Sequence, residues 1–201
     1  WDPNSDTMKW DPYPTLENPV CKAMVLNAIR GDETRDLFKN ASVRIRSDKA
    51  VALAAVAKHG AQLQYAAPEL QEDKDVVLAA IVKDGVLQME LPLQYAGPKL
   101  KDDEEVVLAA IKEDAASFEF ASPRLQAERN IVLAAVKKIG MQLEHAPPAL
   151  KEDGEVVLAA VNQDGMALRH AAPALKENEN VVLAAIAQNG YAFEHASPVL
   201  Q

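Results

Sequence analysis

One short block recurs along most of the chain and constrains its fold more than any other feature. The block centres on Val-Leu-Ala-Ala or a close copy of it. Its leucine recurs at Leu53, Leu78, Leu108, Leu133, Leu158 and Leu183, with separations of 25, 30, 25, 25 and 25 residues. A fixed period of this size is the signature of a repeat protein, in which each unit buries its apolar face against its neighbours. The sequence therefore predicts a stack of similar layers.

The residues on either side of the apolar core favour a helix over a strand. A short side chain with an oxygen comes just before the core, where it can accept hydrogen bonds from the first-turn amides of a helix. These residues are Asp48, Asp73, Asp103, Asp153 and Asn178, and Glu128 is the exception. Glycine follows the core, in a place that suits the left-handed residue that often ends a helix. The glycines are Gly60, Gly85, Gly140, Gly165 and Gly190, and Ala115 is the exception.

A second, shorter helix is predicted after each glycine. In the first regular repeat, Leu63, Ala66 and Leu70 have the i, i+3, i+7 spacing of one helical face. A proline then ends this helix or begins the next turn. The prolines are Pro68, Pro98, Pro123, Pro148, Pro173 and Pro198. The predicted fold class is all-α: an α-solenoid of helix-turn-helix repeats with a period of 25 residues, preceded by an extended N-terminal arm.

The pattern divides the chain into three parts. Residues 1–19, which are rich in proline and contain both tryptophans, form the predicted arm. Residues 20–47 are a degenerate first repeat that caps the N-terminal end, since terminal repeats are often atypical. Residues 48–201 hold six regular repeats, which we expect to form one continuous domain.

Charge and hydropathy narrow the class of partner. A net charge of −9 opposes binding to a nucleic-acid backbone or to an anionic membrane surface. The longest apolar core, residues 76–82, is much shorter than the ~20 residues of a membrane span, so we expect no direct span. Other protein subunits are therefore the expected partners. An intracellular location is favoured, and an organellar one would follow removal of a targeting segment.

Three aromatic residues of the arm are candidates for partner binding. Trp1, Trp10 and Tyr13 would bury large side chains in another protein, as aromatic anchors of interfaces do. The alternatives are that the arm folds back onto its own first repeat and covers apolar surface there, or that it is disordered.

The single 30-residue spacing marks an insertion of five residues between Gly85 and Tyr95. Insertions in repeat proteins often cluster on a binding face, which makes Met89, Leu91 and Leu93 candidates for partner contact. The alternative is a tolerated insertion that packs on its own repeat.

The last repeat is expected to leave its stacking face open. Pro198 completes a proline turn, and Val199 and Leu200 follow it without a further helix. Either more chain follows in the natural protein, or another subunit covers the face. Val199 and Leu200 are candidates for that contact.

Histidines at 25-residue spacing invite a metal-site hypothesis, which distance excludes. His145, His170 and His195 belong to different repeats. Packed helices lie about 8–10 Å apart, whereas zinc needs nitrogens at about 2.0–2.1 Å. Equivalent positions of successive repeats form what we call a column, and the column of these histidines also contains Tyr65, Tyr95 and Phe120. We interpret it as a packing position for a ring, with a pH-sensitive contact surface as the alternative.

No other pattern predicts chemistry. The neighbours in Glu144-His145 and Glu194-His195 are expected to point apart on a helix and to form no dyad. The chain also has no Gly-rich phosphate loop, zinc-protease motif or nucleophile elbow. We therefore expect a protein that is not an enzyme, with no catalytic, cofactor-binding or metal-binding residues.

The combination of these positions resembles a known family. From Asp73 onward the sequence has Asp-Lys, Val-Val-Leu-Ala-Ala, Asp-Gly, Leu, Tyr-Ala and Pro at fixed positions, and the following repeats have similar residues at the same positions. Over about residues 48–201 it resembles the family catalogued as domain of unknown function 4116. Similar repeats occur in tandem in unicellular algae, other protists and some bacteria that live within them. The resemblance implies a helical repeat and provides no catalytic residues.

The function expected from these observations is that of a non-enzymatic scaffold for protein–protein interaction, as an accessory subunit of a larger assembly. The family's occurrence suggests an organellar complex of an alga, including a photosynthetic one, as a setting. The alternative is a peptide- or small-ligand-binding module that uses a groove near the insertion at residues 86–94.

Overall fold

The computed structural model describes residues 19–31, 37–82 and 91–201. These residues form α helices and 3₁₀ helices, with no strand among them, so the predicted all-α repeat fold is confirmed. The chain divides into two compact units, residues 1–100 and 101–201, where we expected one continuous domain. A single solenoid through all six regular repeats stays a prediction.

The helices follow one another in a regular order. In the first unit they are α1 (Pro19–Arg30), α2 (Val43–Arg46), α3 (Lys49–Lys58), a 3₁₀ helix at Gly60–Tyr65, α4 (Pro68–Gln71), α5 (Lys74–Ile81) and a 3₁₀ helix at Pro92–Tyr95. Helix α6 (Pro98–Lys101) contains the boundary between the units. In the second unit they are α7 (Glu104–Glu113), a 3₁₀ helix at Ala115–Phe120, α8 (Pro123–Gln126), α9 (Arg129–Lys138), a 3₁₀ helix at Gly140–His145, α10 (Pro148–Lys151), α11 (Gly154–Gln163), a 3₁₀ helix at Gly165–His170, α12 (Pro173–Lys176), α13 (Glu179–Gln188) and a 3₁₀ helix at Gly190–His195.

We number the regular repeats 1 to 6 by the residue that caps each long helix, namely Asp48, Asp73, Asp103, Glu128, Asp153 and Asn178. Repeat 5 shows the full unit: α11 has 10 residues, the 3₁₀ helix after it has 6, and α12 has 4. The sequence predicted only two helices per repeat. The proline column begins a third, because proline suits the first position of a helix, where its missing N–H would be unpaired in any case.

The predicted caps form as expected. The side-chain oxygen Oδ1 of Asp153 accepts hydrogen bonds from the amides of Glu155 at 2.9 Å and Val156 at 3.1 Å. The same two bonds form at Asp48, Asp73, Asp103 and Asn178. Glu128, the exception in the sequence, makes no such bond. A longer side chain therefore leaves the first amides of α9 without this partner.

The glycine column has a different role from the predicted one. No glycine of this column within the described residues takes a left-handed φ. The residue before the glycine is extended instead, as at Asp164 with φ −145° and ψ 110°, and Gly165 begins the 3₁₀ helix. A Cβ added at Gly165 would stand 2.3 Å from the carbonyl oxygen of Ala185 in repeat 6. Glycine is required because the next repeat comes so close. Gly85 lies outside the described residues.

The core lies between successive layers. In the first unit α3 packs against α1 and α5, and in the second α11 packs against α9 and α13. The helices α3, α5, α7, α9 and α11 bury the same four columns, which in α11 are Val156, Val157, Ala160 and Val161, and α13 buries the first three of them. Burying one valine or leucine side chain contributes roughly 1.5–3 kcal/mol. The stability of each unit therefore depends mostly on contacts between repeats.

Main-chain hydrogen bonds also join the short helices of successive repeats. The amide just before the proline donates to the carbonyl of the last residue in the preceding short helix. These bonds run from Ala67 to Arg46, Gly97 to Gln71, Ser122 to Lys101, Ala172 to Lys151 and Ser197 to Lys176, at 2.8–3.1 Å. In repeat 4 the donor position is Pro147, which has no amide hydrogen. That repeat therefore lacks the bond.

Candidate functional site

Four of the predicted partner-binding residues lie outside the described residues. They are Trp1, Trp10 and Tyr13 of the arm and Met89 of the insertion. Their role stays a prediction, as does that of the arm itself and of the groove near residues 86–94.

The structure corrects the role of Leu93. Its side chain is completely buried, in the column of Leu63, because the 3₁₀ helix at Pro92–Tyr95 restores the regular pattern after the insertion. Leu93 is therefore part of the core of its own unit and is not available to a partner. Leu91, which precedes this helix, is half-buried.

The predicted residues near the C-terminal end differ in exposure. Val199 is 82% exposed, and Leu200 is half-buried. The side-chain amide of Gln201 donates to the carbonyls of Phe193 at 3.2 Å and Ala196 at 3.1 Å. These bonds hold the last residues against the 3₁₀ helix of repeat 6.

Repeat 6 exposes apolar side chains that the sequence analysis did not single out. Leu183 is 63% exposed, Phe193 41% and Tyr191 79%. The counterparts of Phe193 in the other repeats are completely buried: Leu63, Leu93, Phe118, Leu143 and Leu168. The counterparts of Leu183 are buried or half-buried. The positions of Leu183 and Phe193 are thus both exposed to solvent in repeat 6, although they are buried or half-buried in the other repeats.

The reason lies in the stacking of the second unit. The 3₁₀ helices of repeats 4, 5 and 6 pack in succession, so each one covers the column of the repeat before it. We call Leu183, Gly190, Tyr191 and Phe193 the repeat 6 face. An open depression of about 370 Å³ lies here, lined by Gly190, Tyr191, Phe193, Glu194 and Gln201. Its apolar walls and lack of depth suit a protein surface more than a small molecule.

Charged residues elsewhere join the starts of successive helices. Arg129 Nε lies 2.8 Å from Asp153 Oδ2, and Lys22 Nζ lies 2.8 Å from Asp48 Oδ2. The hydrogen bond from Arg129 lowers the pKa of Asp153. Burial alone would raise the pKa of Asp48, but hydrogen bonds from Lys22 and from backbone amides outweigh it and lower the pKa. These contacts account for the acidic helix starts as structural features.

The histidine column is a set of partly covered rings beside carboxylates. The Nε2 atoms of His145 and His170 lie 3.8 and 3.9 Å from Glu119 and Glu144 of the preceding repeats. The expectation that adjacent residues point apart is wrong for Glu194-His195, whose Oε1 and Nε2 atoms lie 3.6 Å apart. His195 is the last residue of the 3₁₀ helix at Gly190–His195, where we expected an α helix.

His170 shows what this environment does to a ring. Burial, reinforced by the charge of Arg169, lowers the pKa of His170. Arg169 Nε donates to His170 Nε2 at 2.8 Å, which requires a neutral imidazole. Within the described ranges, no group of three or more His, Cys, Asp or Glu residues could hold a metal ion, and no helix is long and apolar enough to cross a bilayer.

Comparison with known families agrees with the repeat structure. The model of one family, described as Domain of unknown function (DUF4116), matches residues 48–87, 73–126, 128–176 and 153–201. The chain belongs to this family. Its last three matches each span about two of our repeats, and the first two matches share residues 73–87 while the last two share residues 153–176, as expected for a tandem array of DUF4116 units. No curated protein sequence and no solved structure matches the chain.

The family assignment names no activity, so the candidate site of this DUF4116 chain is defined by its geometry alone. The repeat 6 face is the clearest candidate in the described residues, because Leu183 and Phe193 are exposed there while their counterparts in the other repeats are buried or half-buried. The sequence identifies Leu183 and Phe193 as equivalents of core residues in the other repeats. It does not indicate that no following layer covers them in repeat 6.

Proposed function

We propose that this chain is a non-enzymatic helical-repeat scaffold that binds another protein through the repeat 6 face, as an accessory subunit of a larger assembly. The observation that carries the proposal is the exposure of Leu183 and Phe193, whose counterparts in the other repeats are buried or half-buried, together with the exposed Tyr191 of the same repeat. Contiguous apolar surface of this kind marks interaction sites in soluble proteins, and tyrosine and other aromatic residues are enriched in interfaces.

Charge supports a protein as the partner. The net charge of −9 disfavours a nucleic-acid backbone, whose binding depends on neutralising phosphates with cations. Glu194 at the rim of the face is exposed and adds negative charge there. A partner with an apolar centre and basic residues around it would complement this surface.

The test compares capture of natural partners by three forms of the chain. The first is the unchanged protein, and the second carries Leu183→Glu and Phe193→Glu. The third carries Val20→Glu and Val43→Glu, which replace exposed apolar residues of the first unit, 66% and 47% exposed. Each is used as bait in an extract of the native source, and captured proteins are quantified by mass spectrometry.

We expect at least one protein to be captured by the first and third forms and to be reduced at least about tenfold on the second. Such a loss corresponds to at least about 1.4 kcal/mol of binding free energy, which is modest for two interface residues. Circular dichroism checks that all three forms are folded. Equal capture by the second and third forms would show that the repeat 6 face is not the binding surface.

A further inference from the structure

The contact made by the column glycines shows what kind of surface the repeat 6 face fits. A Cβ at Gly60, Gly140 or Gly165 would stand 2.3 Å from the carbonyl oxygen of an alanine in the following repeat. The three alanines are Ala80, Ala160 and Ala185, and each is the second member of the Ala-Ala pair in its long helix. Each glycine is therefore matched to a backbone carbonyl of the next helix.

A side-chain amide completes this contact in the second unit. The N–H of Gly140 donates to Oε1 of Gln163 at 2.5 Å, and the N–H of Gly165 donates to Oε1 of Gln188 at 2.6 Å. Each glutamine lies three residues after its paired alanine. The following helix thus presents two groups to the glycine, a close carbonyl and a glutamine oxygen.

Gly190 has the same backbone setting. The residue before it, Asn189, has φ −149° and ψ 112°, close to the −145° and 110° of Asp164 before Gly165. Apart from Gly190, its chain neighbours and the backbone of its own helix, no atom lies within 4 Å of the point where a Cβ at Gly190 would stand. Leu183 and Phe193 are exposed in the same repeat, whereas the equivalent Leu158 of repeat 5 is half-buried and Leu168 is completely buried.

We infer that the repeat 6 face binds a helical repeat of the same type, with the carbonyl of a paired alanine against Gly190 and a glutamine oxygen accepting from its N–H. This inference rests on the proposed function and names the partner's chemistry. The inference is supported by the interface between repeats 5 and 6, where Gly165 meets an alanine carbonyl and a glutamine oxygen. The proposed contact at Gly190 would repeat that interface with the next layer. Leu183 and Phe193 would be covered in the same contact.

A second copy of this chain fits less well. Helix α1, the first described helix, has Asn27 and Ala28 at the positions of the alanine pair. Gly31 stands three residues after Ala28, where the glutamine should be. Helix α1 would therefore present no side-chain oxygen to Gly190. A repeat that resembles repeats 5 and 6 is the better occupant.

The test supplies such a repeat to the full chain. A copy of residues 152–201 is joined after Gln201 in the same register, with a site-specific protease sequence in the join. It places the pair equivalent to Ala159-Ala160 and a copy of Gln163 opposite Gly190. Before cleavage, we expect the thermal midpoint to rise by at least about 4 °C over the original chain. After cleavage, we expect the added segment to remain bound in gel filtration.

Two glycine variants identify the contact. Gly190→Ala in the extended protein should remove most of the thermal rise and weaken retention of the cleaved segment at least about tenfold, because a Cβ would overpack against the carbonyl. Gly154→Ala is the matched control, since a Cβ there also meets no atom within 4 Å but lies outside the face. It should change neither measurement.

The outcomes separate this inference from the proposed function. Dissociation of the cleaved segment, or equal effects of the two glycine variants, would overturn the inference even if natural partners still require Leu183 and Phe193. Self-association of the original chain that Gly190→Ala abolishes would identify a second copy as the occupant and would also overturn it. Retention of the segment, with natural capture indifferent to the face, would instead refute the proposed function.

Discussion

The carbonyl oxygen of Ala185 lies 2.3 Å from the point where a Cβ at Gly165 would stand, which leaves no room for any side chain at that position. We expect Gly165→Ala to lower the free energy of unfolding by about 1–3 kcal/mol, since a methyl group forced into a packed interface displaces its neighbours. Gly190→Ala should stay within about 0.5 kcal/mol of the original. Urea unfolding followed by circular dichroism measures both. Similar losses at the two positions would show that the glycines serve their own turns and not the next repeat.

The same contrast applies to the large apolar column. Phe118 is completely buried and Phe193 is 41% exposed, although both occupy the same place in the repeat. Phe118→Ala should cost about 3–5 kcal/mol, because it removes a full ring from the core and leaves a cavity. Phe193→Ala should cost less than half as much. The two variants form a matched pair in chemical denaturation, and equal costs would contradict the exposed position of Phe193.

Changing the helix caps should lower stability at one position and raise it at another. Asp153→Ala should lower stability by about 1 kcal/mol, because two first-turn amides lose their acceptor and Arg129 keeps only Glu155 of its two carboxylate partners. Glu128→Asp should raise stability by about 0.5–1 kcal/mol, because the shorter side chain can make the cap bonds that Glu128 does not make. Thermal and urea unfolding of the two variants test these signs. A neutral result at both positions would mean that the caps contribute little.

The capping aspartates also make stability depend on pH. Hydrogen bonds from basic partners lower the pKa of Asp153, Asp73 and Asp48 in the folded protein below the ordinary value of 3.8. The unfolded chain therefore takes up protons first as the pH falls. The stabilisation is fully present above about pH 5 and is lost progressively as the pH falls through the folded pKa values. Asp153→Asn, which keeps a cap oxygen as Asn178 does, should flatten part of this acid dependence in unfolding measured at several pH values.

The ring of His170 gives a separate pH signal. Burial and the charge of Arg169 lower its pKa, so an NMR titration should place its midpoint below the ordinary value of 6.5. Below pH 6.5 the unfolded chain binds a proton more readily than the folded one, so stability should decrease as the pH falls from there. His170→Phe, which places the ring type of Phe120 in the same column, should remove this contribution. A midpoint at or above 6.5 would contradict the buried, neutral ring.

Features that depend on a single repeat were predicted well from the sequence. The caps at Asp73 and Asp153 follow from a short side chain next to a helical core, and the exception at Glu128 follows from side-chain length. Both the cap bonds and their absence at Glu128 depend only on residues within one repeat. The helix type and its start therefore needed no knowledge of the neighbouring layers.

Features that depend on the next repeat were not predicted. Gly165 has the residue type of a left-handed helix end, and only the approach of Ala185 shows why glycine is needed there. Phe193 and Phe118 cannot be distinguished by residue type, because their difference in exposure arises from the layer that covers one and not the other. Leu93 was wrongly predicted to contact a partner for a related reason. The insertion changes the residue spacing in the sequence, but Leu93 still occupies the core position that Leu63 has in repeat 1.

Pro147 has a consequence for how repeats 3 and 4 hold their alignment. The neighbouring layers of the second unit are each tied to the layer before by an amide-to-carbonyl bond, such as that from Ala172 to Lys151. Pro147 cannot form this bond, so one main-chain restraint against sliding is missing between α8 and α10. A one-residue slip of register would meet less resistance at this joint than at the joints on either side.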